Sequence, residues 1–192
     1  MTTFTLDLNP IGSLTEETFY QLCQRNPDLK LERSAQGELI IMPPTGGESG
    51  RRNADITIDL GLWNRQTDLG YTFDSSTCFK LPNGAERSPD AAWVAKDRWE
   101  ALSKADRSKF PPLAPDFVIE LRSISDRLDV LQAKMREYQE NGVQLGWLIN
   151  PQDRQVEVYR AGQAVEVLDQ PATISGEVVL LGFILNLDRI FQ

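Results

Sequence analysis

A chain of 192 residues, 41% of them hydrophobic and 25% charged, can bury about 70% of its unfolded surface without disulfide or metal staples, and is read as one domain over residues 1–192. Its net charge of −8 argues against a protein that coats nucleic acid through bulk electrostatics, while leaving room for local basic clusters around an acidic site. It contains no histidine, which excludes histidine triads, histidine-ligated zinc hydrolases and nucleases with a histidine base, and leaves carboxylates, lysine, arginine, tyrosine and serine for catalysis.

The first residues, Met1-Thr2-Thr3-Phe4-Thr5-Leu6-Asp7, have neither the basic region nor the apolar core of a signal peptide. No apolar run approaches the about 20 residues of a membrane helix, so a cytoplasmic protein is expected. Leu14 to Gln24 is predicted as a helix: Thr15 is placed to cap it, acids fill its first turn, and Phe19, Leu22 and Cys23 share a face. Two short strands follow near Leu29–Glu32 and Glu38–Met42, joined by Ser34-Ala35-Gln36-Gly37. Pro43, Pro44, Gly46, Gly47 and Gly50 mark a loop, after which Asn53 to Arg65 carries Ile56, Leu60 and Trp63 at helical spacing. The Lys-Ser/Thr that a P-loop requires after its last glycine is missing; Arg51 and Arg52 stand there instead, on a loop that either delivers them to a ligand or leaves them solvated.

Tyr71–Phe73, Thr77–Leu81 and Asp90–Val94 are predicted strands, with Pro82-Asn83-Gly84 as a tight turn, and Asp97-Arg98-Trp99-Glu100 has the form of a capping box. Phe117, Val118, Ile119 and Leu121 make a short apolar run suited to a buried strand. The helix after it, capped by Ser125 or Asp126 and ending at Glu140, has Leu128, Leu131, Met135 and Tyr138 as its core stripe. With Leu145–Ile149 as the next buried run, a βαβ unit with parallel strands is expected. Val156–Tyr159 and Val165–Leu168 alternate as a hairpin, and the stretch Leu180 to Phe191 ends the chain as further β structure. Cys23 and Cys78 have no metal or disulfide framework around them and are read as buried thiols.

Glu120 sits inside the apolar run 117–121, where an acid is costly unless a cation pairs with it. A second acid, Asp90, opens an earlier strand after Ser88-Pro89, and Lys134 lies on the helix that follows Glu120. Two carboxylates at neighbouring strand ends supply hard oxygen ligands for Mg²⁺, which takes one or two carboxylates and keeps waters. A nearby cation orients or deprotonates the attacking water and offsets charge on the phosphate, which is the chemistry of phosphodiester hydrolysis. A purely structural account competes: Asp90 paired with Arg87 or satisfying a turn, Glu120 paired with Arg122 or Arg127, and Lys134 in solvent.

The order Pro89-Asp90, a strand with Glu120-Leu121-Arg122, then a helix resembles the PD-(D/E)XK nuclease superfamily. More closely, Glu32, Gly37-Glu38-Leu39, Met42-Pro43, Ser88-Pro89-Asp90, Val118 to Asp126 and Gly146-Trp147-Leu148-Ile149-Asn150-Pro151 resemble the Uma family of bacterial endonucleases, over nearly the whole chain. The resemblance implies an α/β restriction endonuclease-like core, a mixed β-sheet flanked by α-helices with an extra C-terminal β segment, and cleavage of DNA with Mg²⁺ or Mn²⁺ by a homodimer. It implies Asp90 and Glu120 as metal ligands, the Leu121 carbonyl as a third, and Glu32 as a further acid at the metal. Arg122 stands where the superfamily places its lysine and is carried as a site residue. A guanidinium stays protonated and cannot act as a base; variants of this fold take the lysine from the next helix, and the resemblance implies Lys134 in that place. The alternative is a catalytically silent nuclease-like fold that serves protein association through its acidic surface and C-terminal β segment.

Overall fold

The computed structural model describes residues 3–12 and 14–192; Met1 and Thr2, which open the first stretch read above, lie outside them. In chain order the elements are β1 (Phe4–Leu6), a short 3-10 turn (Asn9–Ile11), α1 (Glu16–Arg25), β2 (Lys30–Arg33), β3 (Leu39–Met42), α2 (Gly47–Thr67), β4 (Gly70–Asp74), β5 (Phe79–Lys80), β6 (Glu86–Arg87) and β7 (Ala91–Ala95). They continue as α3 (Lys96–Glu100), α4 (Lys104–Arg107), β8 (Phe117–Leu121), α5 (Leu128–Glu140), β9 (Leu145–Asn150), β10 (Gln155–Arg160), β11 (Glu166–Asp169), β12 (Thr173–Ser175) and β13 (Ile184–Asn186).

A six-stranded mixed sheet, in the order β11-β10-β9-β8-β7-β4, forms the centre. Only β8 and β9 run parallel, as the βαβ pattern predicts, and α5 makes the crossover between them. All five residues of β8 are buried, so the two-residue period of a strand divides them between two cores. Phe117, Ile119 and Leu121 join Ile56 and Leu60 of α2 and the C-terminal residues Phe183, Leu185 and Leu187. Val118 faces the other way, with Leu148, against Met135 and Tyr138 of α5. By the same alternation Glu120 belongs to the α5 face. A smaller antiparallel sheet, β1-β3-β2-β6-β5, lies beside the first and packs on α1 through Phe19, Leu31, Leu39 and Cys78.

Several elements depart from the sequence reading. Helix α2 begins at Gly47, not Asn53, because Gly46 takes the extended N-cap conformation and Glu48 supplies a first-turn acid. Arg51 and Arg52 therefore ride on a helix and not on a loop. Helix α3 starts at Lys96, directly off β7, so Asp97 is not its N-cap but lies within its first turn, where Oδ1 accepts from the Arg98 amide at 2.8 Å. Helix α5 starts at Leu128 without a side-chain cap, while the Asp126 carboxylate closes the preceding loop by accepting from the Ser123 amide at 2.8 Å. The tail, by contrast, is β structure as expected: β12 and β13 form a hairpin, and Leu180, Phe183, Leu185, Leu187 and Ile190 are buried in the main core.

Gly70, in edge strand β4, is where the sheet tolerates no side chain. A Cβ there would be driven into the Val94 carbonyl oxygen and the Trp93 ring, which Asn64 locks in place by accepting from Trp93 Nε1 at 2.8 Å. Gly70→Ala is expected to lower unfolding stability by about 2–3 kcal/mol through overpacking. An unchanged urea midpoint would count against this packing.

Candidate functional site

The two acids singled out in the sequence are brought together by strand register. Strand β7 pairs antiparallel with β8 so that Ala91 faces Ile119, which places Asp90, one step earlier, across from Glu120. There the ladder gives way to a side chain: Asp90 Oδ2 accepts from the Leu121 amide at 2.9 Å. Its other oxygen accepts from Asn53 Nδ2 of α2 at 3.3 Å and lies 3.9 Å from Lys30 Nζ of β2.

Glu120 points at α5. Lys134 and Tyr138 are one helical turn apart there, so both reach the same carboxylate. Lys134 Nζ is 2.8 Å from Glu120 Oε1 and 2.8 Å from Glu32 Oε1, and the Tyr138 hydroxyl donates to Glu120 Oε1 at 3.0 Å. Glu32 comes from β2 in the smaller sheet, so the cluster sits where the two sheets meet. Arg87 Nη1 donates to Glu32 Oε2 at 3.1 Å and the Ser88 amide to Glu32 Oε1 at 2.9 Å. Glu32 and Glu120 are 2% and 4% exposed, so these partners, not water, decide their charge.

The two buried acids are pushed in opposite directions. Burial, joined by the charges of Asp90 and Glu32, raises the Glu120 carboxyl to about 7 against the pull of Lys134. Burial also works against the Glu32 anion, but Lys134 and Arg87, with the Ser88 amide, hold it down to about 2. Lys134 is desolvated as well, yet the facing Glu120 and Glu32 keep its ammonium above the ordinary lysine range.

A test of these opposed environments follows from linkage. For Glu120 the unfolded chain ionises near the ordinary 4.5 and the folded one only near 7. The metal-free protein therefore loses stability, on the order of 3 kcal/mol, as pH rises through that window. Glu32 acts oppositely: its contribution is present above about 4.5 and is lost as pH falls toward 2. Thermal melts of Glu120→Gln are expected to lack the decline between pH 4.5 and 7; an unaltered slope would refute the assignment.

The sequence-derived candidates thus separate. Asp90, Glu120, Leu121 and Lys134 line one cleft of about 230 Å³, together with Asn53 and Ser88. Glu32, expected as a further acid at the metal, stands behind the cleft lining with its two oxygens accepting from Lys134, Ser88 and Arg87. Arg122 also departs from expectation: past the end of β8 its guanidinium turns to Asn150 and Asp153, at 3.3 and 3.2 Å, and makes no ion pair with Asp90 or Glu120 among the described residues. Arg127 pairs with Asp129, and Arg87 with Glu32 and Glu137, so neither serves the partner the structural account gave it. Arg51 and Arg52 reach the backbone carbonyls of Arg189 and Gln192, fastening α2 to the end of the chain. Sequence reasoning missed Asn53 and Lys30 beside Asp90, and took Tyr138 for core alone. Its spacing of four from Lys134 was the available signal.

The donor set fits a hard divalent cation. Glu120 Oε1 is taken by Lys134 and Tyr138, whereas Oε2 accepts no hydrogen bond among the described residues. With Asp90 across from it, two carboxylates of like charge share the cleft floor. No group of three or more His, Cys, Asp or Glu side chains suited to a metal occurs among the described residues. Two carboxylates with waters completing the shell suit Mg²⁺ or Mn²⁺, and do not suit a closed zinc site.

Among the described residues no helix is long and apolar enough to cross a membrane. A search of curated proteins found no match. Among solved structures, the chain is similar to the crystal structure of a putative nuclease belonging to DUF820 from Anabaena variabilis ATCC 29413, with a TM-score of 0.71 and 20% identity over 84% of this chain and 89% of that one. That likeness establishes the mixed-sheet α/β fold. The family model described as "Putative restriction endonuclease" matches residues 16–188, and the chain belongs to that family, Uma2.

Proposed function

We propose that the protein is a divalent-metal-dependent endonuclease that hydrolyses DNA phosphodiester bonds. The observation that carries the reading is the convergence of Asp90 and Glu120 on one cleft with the Lys134 ammonium 2.8 Å from Glu120. Asp90, Glu120 and the Leu121 carbonyl would hold Mg²⁺ or Mn²⁺. When bound, the ion supplies Lewis-acid polarisation of a phosphoryl oxygen and a more acidic water.

The chain's own groups do the rest. The Leu121 amide and Asn53 aim the Asp90 carboxylate, and Tyr138 with Lys134 holds one oxygen of Glu120 so that the other faces the cleft. Lys134, bound by two carboxylates, enters as a fixed positive charge that offsets charge growing on the phosphate, and not as the base that removes a proton. Glu120 must shed its proton before it can hold a cation, so metal affinity rises with pH up to about 7. Cutting both strands is simplest for a homodimer with two symmetry-related sites.

The direct test incubates the protein with supercoiled plasmid and with single-stranded DNA over a Mg²⁺ and Mn²⁺ titration. Metal-dependent nicking is expected; no divalent ion bound at millimolar concentration, together with no strand breaks, would sink the reading. One observation favours the association reading instead: Val178, Leu181 and Ile184 of the C-terminal hairpin are 88%, 69% and 63% exposed. On that reading Leu181→Glu would change the oligomeric mass and Asp90→Asn would change nothing measurable.

A further inference from the structure

Arg87 is 12% exposed at its side chain and lies between two acids. Its Nε donates to Glu137 Oε2 at 2.6 Å, while Nη1 donates to Glu32 Oε2 at 3.1 Å. It makes no hydrogen bond or ion pair with Asp90 or Glu120 among the described residues, and it does not line the cleft. Its two acids nevertheless lead to the same place. Glu137 is on α5, three residues beyond Lys134, and Glu32 is the acid that holds Lys134 Nζ from behind.

The contacts therefore close a ring: Arg87 to Glu32, Glu32 to Lys134, one turn of α5 to Glu137, and back to Arg87. Around this ring α5 is tied to β6 twice, once through each acid. The loop 82–84 adds a third tie, with Asn83 Nδ2 donating to Glu137 Oε1 at 3.1 Å and the Asn83 amide to Asn141 Oδ1 at 2.8 Å. The charges matter as much as the geometry. Without the guanidinium, Glu32 would be a buried anion with Lys134 as its single cation, and a shared ammonium moves toward the acid with the greater need. Glu120 would lose the cation that stands beside it.

We propose that Arg87 is a positioning residue of this site: by satisfying Glu32 and anchoring Glu137, it keeps the Lys134 ammonium shared between Glu32 and Glu120. The proposal rests on the reading of Lys134 as the fixed cation of the nuclease cleft.

Two measurements test it and fail separately. In proton–nitrogen NMR spectra of the metal-free protein, the Lys134 ammonium, sealed between two carboxylates, is expected to give a slowly exchanging signal, identified by its absence in Lys134→Arg. Arg87→Gln should shift or erase that signal, and Arg87→Lys should restore part of it. In DNA cleavage, Arg87→Gln should lower kcat about 10–100-fold, the usual effect of removing a group that orients another, with little change in KM. Adding Arg87→Gln to Glu32→Gln should cost less than Arg87→Gln costs alone, since only the Glu137 anchor is then left to lose. A signal and kcat both unchanged in Arg87→Gln would overturn the proposal. Should that variant fail to fold, Glu137→Gln, which removes one anchor and leaves the other, must move the same signal or the proposal falls. If the wild type cuts no DNA, the nuclease reading fails while the NMR arm still decides what Arg87 does.

Discussion

Asp90→Asn and Glu120→Gln are each expected to abolish divalent-metal binding and to lower DNA cleavage by about 10³-fold or more, with the fold intact. The expectation of an intact fold has a structural basis. In Asp90→Asn the side-chain carbonyl can still accept the Leu121 amide that now meets Asp90 Oδ2. In Glu120→Gln the amide oxygen can still accept from the Tyr138 hydroxyl. What both changes remove is negative charge from a pair of facing carboxylates, and a hard cation that keeps most of its waters is held almost wholly by that charge. Isothermal calorimetry with Mn²⁺ and Mg²⁺ separates loss of metal from loss of turnover. Metal binding and plasmid nicking at the wild-type level in either variant would end the assignment of these two acids.

The second large effect is expected at Lys134, where the nature of the replacement discriminates between roles. Lys134→Met leaves Glu32 and Glu120, both nearly sealed from solvent, without the cation they share. A broken buried pair costs about 3–5 kcal/mol at neutral pH, and the cost shrinks in acid, as Glu32 becomes protonated in a pocket that no longer holds it near 2. Cleavage by Lys134→Met should fall at least about 100-fold. Lys134→Arg keeps the positive charge but can never lend a lone pair. If the ammonium acts by charge, Lys134→Arg retains a measurable part of the activity lost in Lys134→Met, and its pH–rate profile keeps the wild-type shape. If Lys134→Arg binds metal normally yet is as inactive as Lys134→Met, the lysine is the base after all.

Much of the architecture was readable from local pattern. The Thr15 cap is present, with its hydroxyl accepting from the Thr18 amide at 3.2 Å. The run 117–121 is a buried strand parallel to the run 145–150, and the stripe Leu128, Leu131, Met135, Tyr138 faces the core. These features depend on capping, on side-chain period and on apolar content within about a dozen residues, which a sequence displays directly. The start of α2 was misplaced because glycines at 47 and 50 read as loop. They are tolerated in the first turn, where few intrahelical bonds depend on them.

The partners of the charged residues were not readable in this way. Glu32 and Lys134 are 102 positions apart, and nothing local to either distinguishes that pairing from Glu32 at a metal or Lys134 in solvent. Arg122 is two residues from Glu120 and looked like its natural partner, but the strand ends between them and the guanidinium leaves for Asp153. By itself the sequence determined which residues are acids and bases in a histidine-free chain, which strand buries Glu120, and which helix carries Lys134. The tertiary structure alone decided that β7 and β8 meet in the register that sets Asp90 across from Glu120, and that the smaller sheet brings Glu32 and Arg87 up behind Lys134. The physical reason is that buried charges choose partners by distance in space, and those distances are set only when the sheets and α5 have packed.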